Sequence, residues 1–191
     1  MTRTQIEETQ FYDHTPDTAP RASRQLMAQT AKRMGYLPAA VARMAESPEL
    51  LKGFLTVSSL FERSSLDPVA REVLVFTVAV RNECHVCVAL HTAKLAHLGC
   101  DPAVIAALRA GEPLSDPQLE AMREFTLAVL ATAGAVSEDD LRAFVDRGYS
   151  RQNALEVVLG IGAYTTSTLA NRLTGAPLDD ALLPFAWAPG S

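Results

Sequence analysis

The chain has 191 residues, a formal charge of −5, 48% apolar residues and 20% charged ones. That size and composition suit one globular domain, or two small ones, and exclude a disordered, collagen-like or low-complexity chain. Of the 17 Lys and Arg, 14 are Arg scattered singly along the chain, and no basic stripe forms, so nucleic acid is not an expected partner.

Residues 1–20 mix acids, Thr and two prolines without an apolar segment, which fits neither a secretory signal nor a transit peptide. A cytoplasmic protein is expected, with these residues an N-terminal arm that is mobile or lies on a neighbouring subunit. No apolar run approaches the roughly 18 residues of a membrane span, so no membrane partner is expected either. From Arg21 to Gly175 the pattern is helical. Thirty alanines, many in runs with Leu, Arg, Glu and Met, favour an all-α domain over residues 21–175.

Helices are expected near 22–34, 48–62, 68–82, 84–98, 102–110, 117–133, 138–147 and 151–174. Ser47-Pro48, Asp67-Pro68, Asp101-Pro102 and Asp116-Pro117 each supply an N-cap followed by a first-turn proline. Gly35, Gly99, Gly111, Gly148 and Gly175 stand where helices should close. Arg71 to Val80, REVLVFTVAV, has the β-branched content of a buried strand. No comparable strand exists to pair with it, so it reads as a helix apolar all round, at the centre of the core. Glu72-Val73 with Ala79 is echoed 84 residues later by Glu156-Val157 with Ala163, a faint hint of duplication. The tail, 176–191, is apolar and carries Phe185 and Trp187, which suit docking on another subunit or packing on its own domain.

The chemistry concentrates between Glu72 and His91. Cys84, Cys87 and His91, at i, i+3 and i+7, fall within about 60° of one helix face. Cys100 and His97 point elsewhere. A Cys-x-x-Cys pair at a helix start suits thiol chemistry, because free N–H groups and the helix dipole favour thiolate, most of all at Cys84. His91 lies one turn beyond Cys87, in reach of its proton. Glu72, in an apolar helix, is expected to have a raised pKa that suits a base or proton relay. The bland alternatives are two buried small hydrophobes, a satisfied core histidine and a surface acid. Structural zinc needs four ligands and only one cysteine pair is present; covalent haem needs His where Val88 stands. No phosphate loop or dinucleotide fingerprint appears, so no cofactor is expected.

These residues resemble the carboxymuconolactone decarboxylase and alkylhydroperoxidase (AhpD-like) superfamily. Its redox branch is marked by Glu, eleven residues, then Cys-x-x-Cys-x-x-x-His, which Glu72, Cys84, Cys87 and His91 match. Gly35-Tyr36-Leu37-Pro38 and Ser47 to Leu51 look like its lead-in, so the resemblance covers about 35–175. It implies an all-α homo-oligomer, trimer or hexamer, that reduces hydrogen peroxide or small organic hydroperoxides. In the implied mechanism Glu72 acts through His91 to deprotonate Cys87; Cys87 attacks the peroxide, Cys84 closes the disulfide, and a lipoyl or thioredoxin-like dithiol reduces it. Helix-end physics favours Cys84 as the more acidic thiol; the two statements agree if Cys84 is the more exposed sulfur and meets the reductant. Members often carry His or an aromatic residue just before the second Cys, and here that residue is Val86, with His85 about 100° further round. The alternatives are the superfamily's lactone decarboxylation, which needs no cysteine pair, and a non-enzymatic redox-sensing oligomer.

Overall fold

The computed structural model describes residues 10–190. Among them all regular structure is helical: α1 (Arg21–Met34), α2 (Ala39–Met44), α3 (Pro48–Glu62), α4 (Pro68–Arg81), α5 (His85–His97), α6 (Pro102–Ala110), α7 (Pro117–Ala131), α8 (Glu138–Asp146), α9 (Arg151–Thr174) and a 3-10 turn, Asp180–Phe185.

Local chemistry sets these boundaries. The side chains of Ser47, Asp67, Asp101 and Asp116 accept hydrogen bonds from the first-turn amides of α3, α4, α6 and α7, with the following proline at the position where no amide hydrogen is needed. Ser137 and Ser150 open α8 and α9 through reciprocal capping boxes with Asp140 and Asn153. Gly35, Gly111 and Gly175 close α1, α6 and α9 in the left-handed region.

The core forms around α4, which packs against α5, α6, α7 and α9. Val73, Leu74, Val75, Phe76, Val78 and Ala79 are all buried, so the segment with strand-like propensity is a helix enclosed on every side. Each fully buried Leu, Val or Phe there contributes roughly 1.5–3 kcal/mol. The approach of α9 is set by Gly160, where a Cβ would sit 2.6 Å from Phe61 Cε2 of α3 and 2.9 Å from Leu74 Cδ2 of α4. The echoed helices, α4 and α9, thus pack on each other, but Glu156 serves a different end from Glu72: it accepts from the Ser65 amide and hydroxyl and fixes the loop before α4.

The tertiary structure adds elements that propensity does not announce. The six-residue α2 forms a second apolar cluster with α1 and α3 through Met27, Val41, Met44 and Leu51. The described part of the N-terminal arm was expected to be mobile or to lie on a neighbouring subunit; instead it is held on this chain's own α2. Arg43 Nε donates to Asp13 at 2.6 Å, His14 meets Glu46 at 2.7 Å, and Ala19 is buried. Residues 1–9 lie outside the described residues. The tail likewise packs on its own domain. Arg109 donates to the carbonyls of Phe185 and Ala186 and to Thr92, while Trp187 Nε1 donates back to the Arg109 carbonyl at 3.0 Å. The outer face of α9 remains apolar: Leu155, Val158, Leu169 and Leu173 are exposed by 73, 51, 55 and 76%.

Candidate active site

The site is assembled where α4 ends and α5 begins, against α9. Between the two helices Glu83 takes φ 50°, a left-handed conformation costing about 1 kcal/mol for a residue other than glycine. It is held from α9, by Arg172 donating to the Glu83 carbonyl at 2.7 Å and by Thr168 accepting from Asn82 Nδ2 at 2.9 Å. This turn delivers Cys84 as the N-cap of α5, and Cys87 follows one turn later.

The two thiols are free and buried, their sulfurs 3.2 Å apart. With one proton between them, the Cys87 S–H donates to a Cys84 thiolate. That hydrogen bond outweighs burial and, with a bond from Asn171, brings Cys84 down to about 7 from 9.0. The same bond, together with burial and the neighbouring negative charge, pushes Cys87 well up. The expectation that Cys84 is the more acidic thiol therefore agrees with the geometry. Its companion, that Cys84 is the more exposed sulfur, does not: Cys84 is 0% exposed and Cys87 4%, and it is Cys87 that lines a cavity. The cause is position, since an N-cap side chain here is enclosed by the turn and by α9.

That cavity has a volume of about 300 Å³ and reaches from Cys87 and His91 along Val86 and Leu90 to Met44, Phe54 and Leu55. Val86 is thus part of its wall. Lys94 and Arg33 also line it, as do Tyr36 and Leu182 from the 3-10 turn.

His91 Nδ1 is bonded to Glu72 Oε2, and Glu72 Oε1 takes a further bond from Lys94 Nζ at 3.4 Å. Glu72 was expected to have a raised pKa. Burial does push it up and is the largest single influence, but the charge and hydrogen bond of His91, then of Lys94, prevail and hold it below its ordinary value. With Nδ1 engaged, Nε2 is the ring nitrogen left to serve the cavity. Tyr164 packs edge-on against the His91 ring, centroids 5.3 Å apart, and fixes its plane. Glu72, Cys84, Cys87 and His91 are therefore brought into one buried cluster. His97 is exposed and Cys100 half-buried, both away from it.

Three residues of this cluster went unread in the sequence, all on α9. Asn171 Nδ2 lies 3.3 Å from Cys87 Sγ and 3.7 Å from Cys84 Sγ, and Ser167 Oγ 3.8 Å from Cys87 Sγ. With Tyr164 they repeat the i, i+3, i+7 spacing of Cys84, Cys87 and His91. A polar stripe on the buried face of an apolar helix was the available signal.

Residues 48–128 match the carboxymuconolactone decarboxylase family, and the match spans the Glu72 to His91 motif. The chain is similar to that family over the stretch that carries the motif. Solved structures agree in fold. An uncharacterized peroxidase-related protein from Ralstonia eutropha with an alkylhydroperoxidase AhpD core superposes with TM-score 0.80 at 20% identity, covering 91% of this chain and 93% of that one. A peroxidase-related protein from Silicibacter gives TM-score 0.75 at 19% identity, covering 92% and 94%. A cysteine-to-alanine variant of the debrominase Bmp8, in complex with 2,3,4-tribromopyrrole, gives TM-score 0.70 at 13% identity, covering 92% and 94%. No curated protein sequence matches the chain. Among the described residues, no helix is long and apolar enough to cross a membrane.

Proposed function

We propose that the protein is a cytoplasmic thiol peroxidase that reduces hydrogen peroxide or small organic hydroperoxides through a Cys84/Cys87 dithiol–disulfide cycle. The observation that carries this reading is the free, hydrogen-bonded sulfur pair at the inner end of a cavity whose wall also holds His91.

The pair shares one proton, which passes along the sulfur–sulfur hydrogen bond, so the thiolate can be drawn to Cys87 on the cavity side. Cys87 attacks the outer peroxide oxygen, the O–O bond breaks, and His91 supplies the proton that turns the leaving alkoxide into an alcohol. Cys84 then attacks the Cys87 sulfenic sulfur; the S–O bond breaks, hydroxide leaves as water with the remaining proton, and a disulfide forms. Overall one hydroperoxide and two thiols become one alcohol, one water and one disulfide. Glu72 orients His91 through the bond to Nδ1. Reduction needs a dithiol that reaches buried sulfurs, which a slender lipoyl arm does more readily than the flat surface of a thioredoxin-like protein. The exposed apolar face of α9 supports assembly into a homo-oligomer.

Thiol titration before and after stoichiometric hydrogen peroxide tests the reading. Two thiols should disappear quickly in the wild type and slowly in Glu72→Gln. Thiols that react no faster than free cysteine would overturn it and bring forward debromination, the activity named for one structural neighbour.

A further inference from the structure

The Asn171 amide is enclosed, with the residue 4% exposed, and its two ends are treated differently. Nδ2 reaches both sulfurs, at 3.3 and 3.7 Å, whereas Oδ1 is buried without any hydrogen-bond donor. Buried carbonyl oxygens are almost always satisfied, and one left bare beside a reactive pair calls for an explanation. The main chain around it is held firmly: Arg172 is tied to Glu83, Thr168 to Asn82, and the Ala176 amide to the Asn171 carbonyl. Only rotation of the amide plane remains free.

The chemistry of the pair supplies the missing partner. With a thiolate present, the sulfurs need donors and Nδ2 provides one. When both thiols are protonated, Cys84 gains an S–H that itself needs an acceptor; when Cys87 carries a sulfenic acid, a new O–H appears beside Asn171. Both states need an acceptor where Nδ2 now points, and half a turn of the amide brings Oδ1 there. A carboxamide carries its donor and its acceptor on one carbon, so half a turn exchanges the two.

We propose that Asn171 is a further catalytic residue of the dithiol, its amide donating N–H to the thiolate and turning to accept the S–H or sulfenic O–H with Oδ1. The sulfenic part rests on the peroxidase reading; the hold on the thiolate does not. Its loss leaves a buried thiolate one donor short, so the sulfur gives up its charge more readily.

The experiment follows thiolate absorbance against pH in a Cys100→Ser background, comparing wild type with Asn171→Leu and Asn171→Asp. The midpoint of Cys84 ionisation, expected near pH 7, should rise by about one unit in Asn171→Leu and further in Asn171→Asp, whose carboxylate adds like charge. At pH 7 a one-unit rise leaves about fivefold less thiolate, and the rate of thiol loss to hydrogen peroxide should fall in proportion. Circular dichroism checks folding, and Asn171→Ser, too short to reach both sulfurs, replaces Asn171→Leu should that variant not fold. Unmoved midpoints in folded variants would overturn the proposal. A midpoint that rises in variants of a protein whose wild type ignores peroxide would sustain the hold on the thiolate and refute the peroxidase reading.

Discussion

Gly160→Ala and Gly162→Ala, two residues apart on α9, should change stability in opposite directions. A Cβ at Gly160 would stand 2.6 and 2.8 Å from the Phe61 ring and 2.9 Å from Leu74 Cδ2. Neither neighbour can retreat, since Phe61 is 1% and Leu74 0% exposed, and the Phe61 ring is set edge-on against Tyr164 at 5.9 Å. The clash therefore has to be relieved by moving α9 outward by most of an ångström, an overpacking cost of about 1–3 kcal/mol. Helix propensity returns about 0.5–1 kcal/mol of that, for a net loss centred on about 1 kcal/mol and reaching about 2.5 kcal/mol. At Gly162 a Cβ meets nothing within 4 Å, so only the propensity gain remains and the variant should be more stable by about 0.5–1 kcal/mol. Urea unfolding at two protein concentrations, fitted with a common slope, separates these shifts from any effect on assembly. Because Asn171 rides on the same helix, Gly160→Ala should also disturb the midpoint of Cys84 thiolate formation, and Gly162→Ala should not. Equal stabilisation by both substitutions would refute the seating of α9 on α3 and α4 at Gly160.

Cys87→Ala should move the Cys84 midpoint upward from about 7, since the hydrogen bond that chiefly lowers it is gone; Cys87→Ser, which keeps a donor, should move it less, as thiolate absorbance against pH would reveal. Glu72 has a folded pKa below its ordinary 4.5, so its contribution is fully present above that value and is lost as pH falls through the folded one. The stability difference between wild type and Glu72→Gln, followed by urea midpoints, should accordingly shrink as pH drops below about 4.5. Leu155→Glu with Leu173→Glu should reduce the mass found by light scattering if α9 joins copies of the chain, and an unchanged mass would count against that face. Arg109→Ala removes charged donors to two tail carbonyls and to Thr92, and should cost about 1–3 kcal/mol and expose residues beyond 180 to proteolysis.

What the sequence determined by itself is what near neighbours along the chain decide. Caps at Ser47, Asp67, Asp101 and Asp116 act over two or three residues, so the starts of α3, α4, α6 and α7 were legible to the residue. The shared face of Cys84, Cys87 and His91 follows from helix pitch alone, whereas the acidity of Cys84 owes most to the Cys87 hydrogen bond. The six-residue α2 was not legible, because it has no side-chain cap and stays folded by burying Val41 and Met44 against α1 and α3. Only the tertiary structure decided which sulfur faces the cavity, that Lys94 and His91 together overcome the burial of Glu72, and that the tail closes on Arg109. It also brought Asn171 to sulfurs more than 80 residues away. Hydrogen bonds within a turn depend on order along the chain; the solvation and charge of a buried thiol or carboxyl depend on whatever the folded core places beside it.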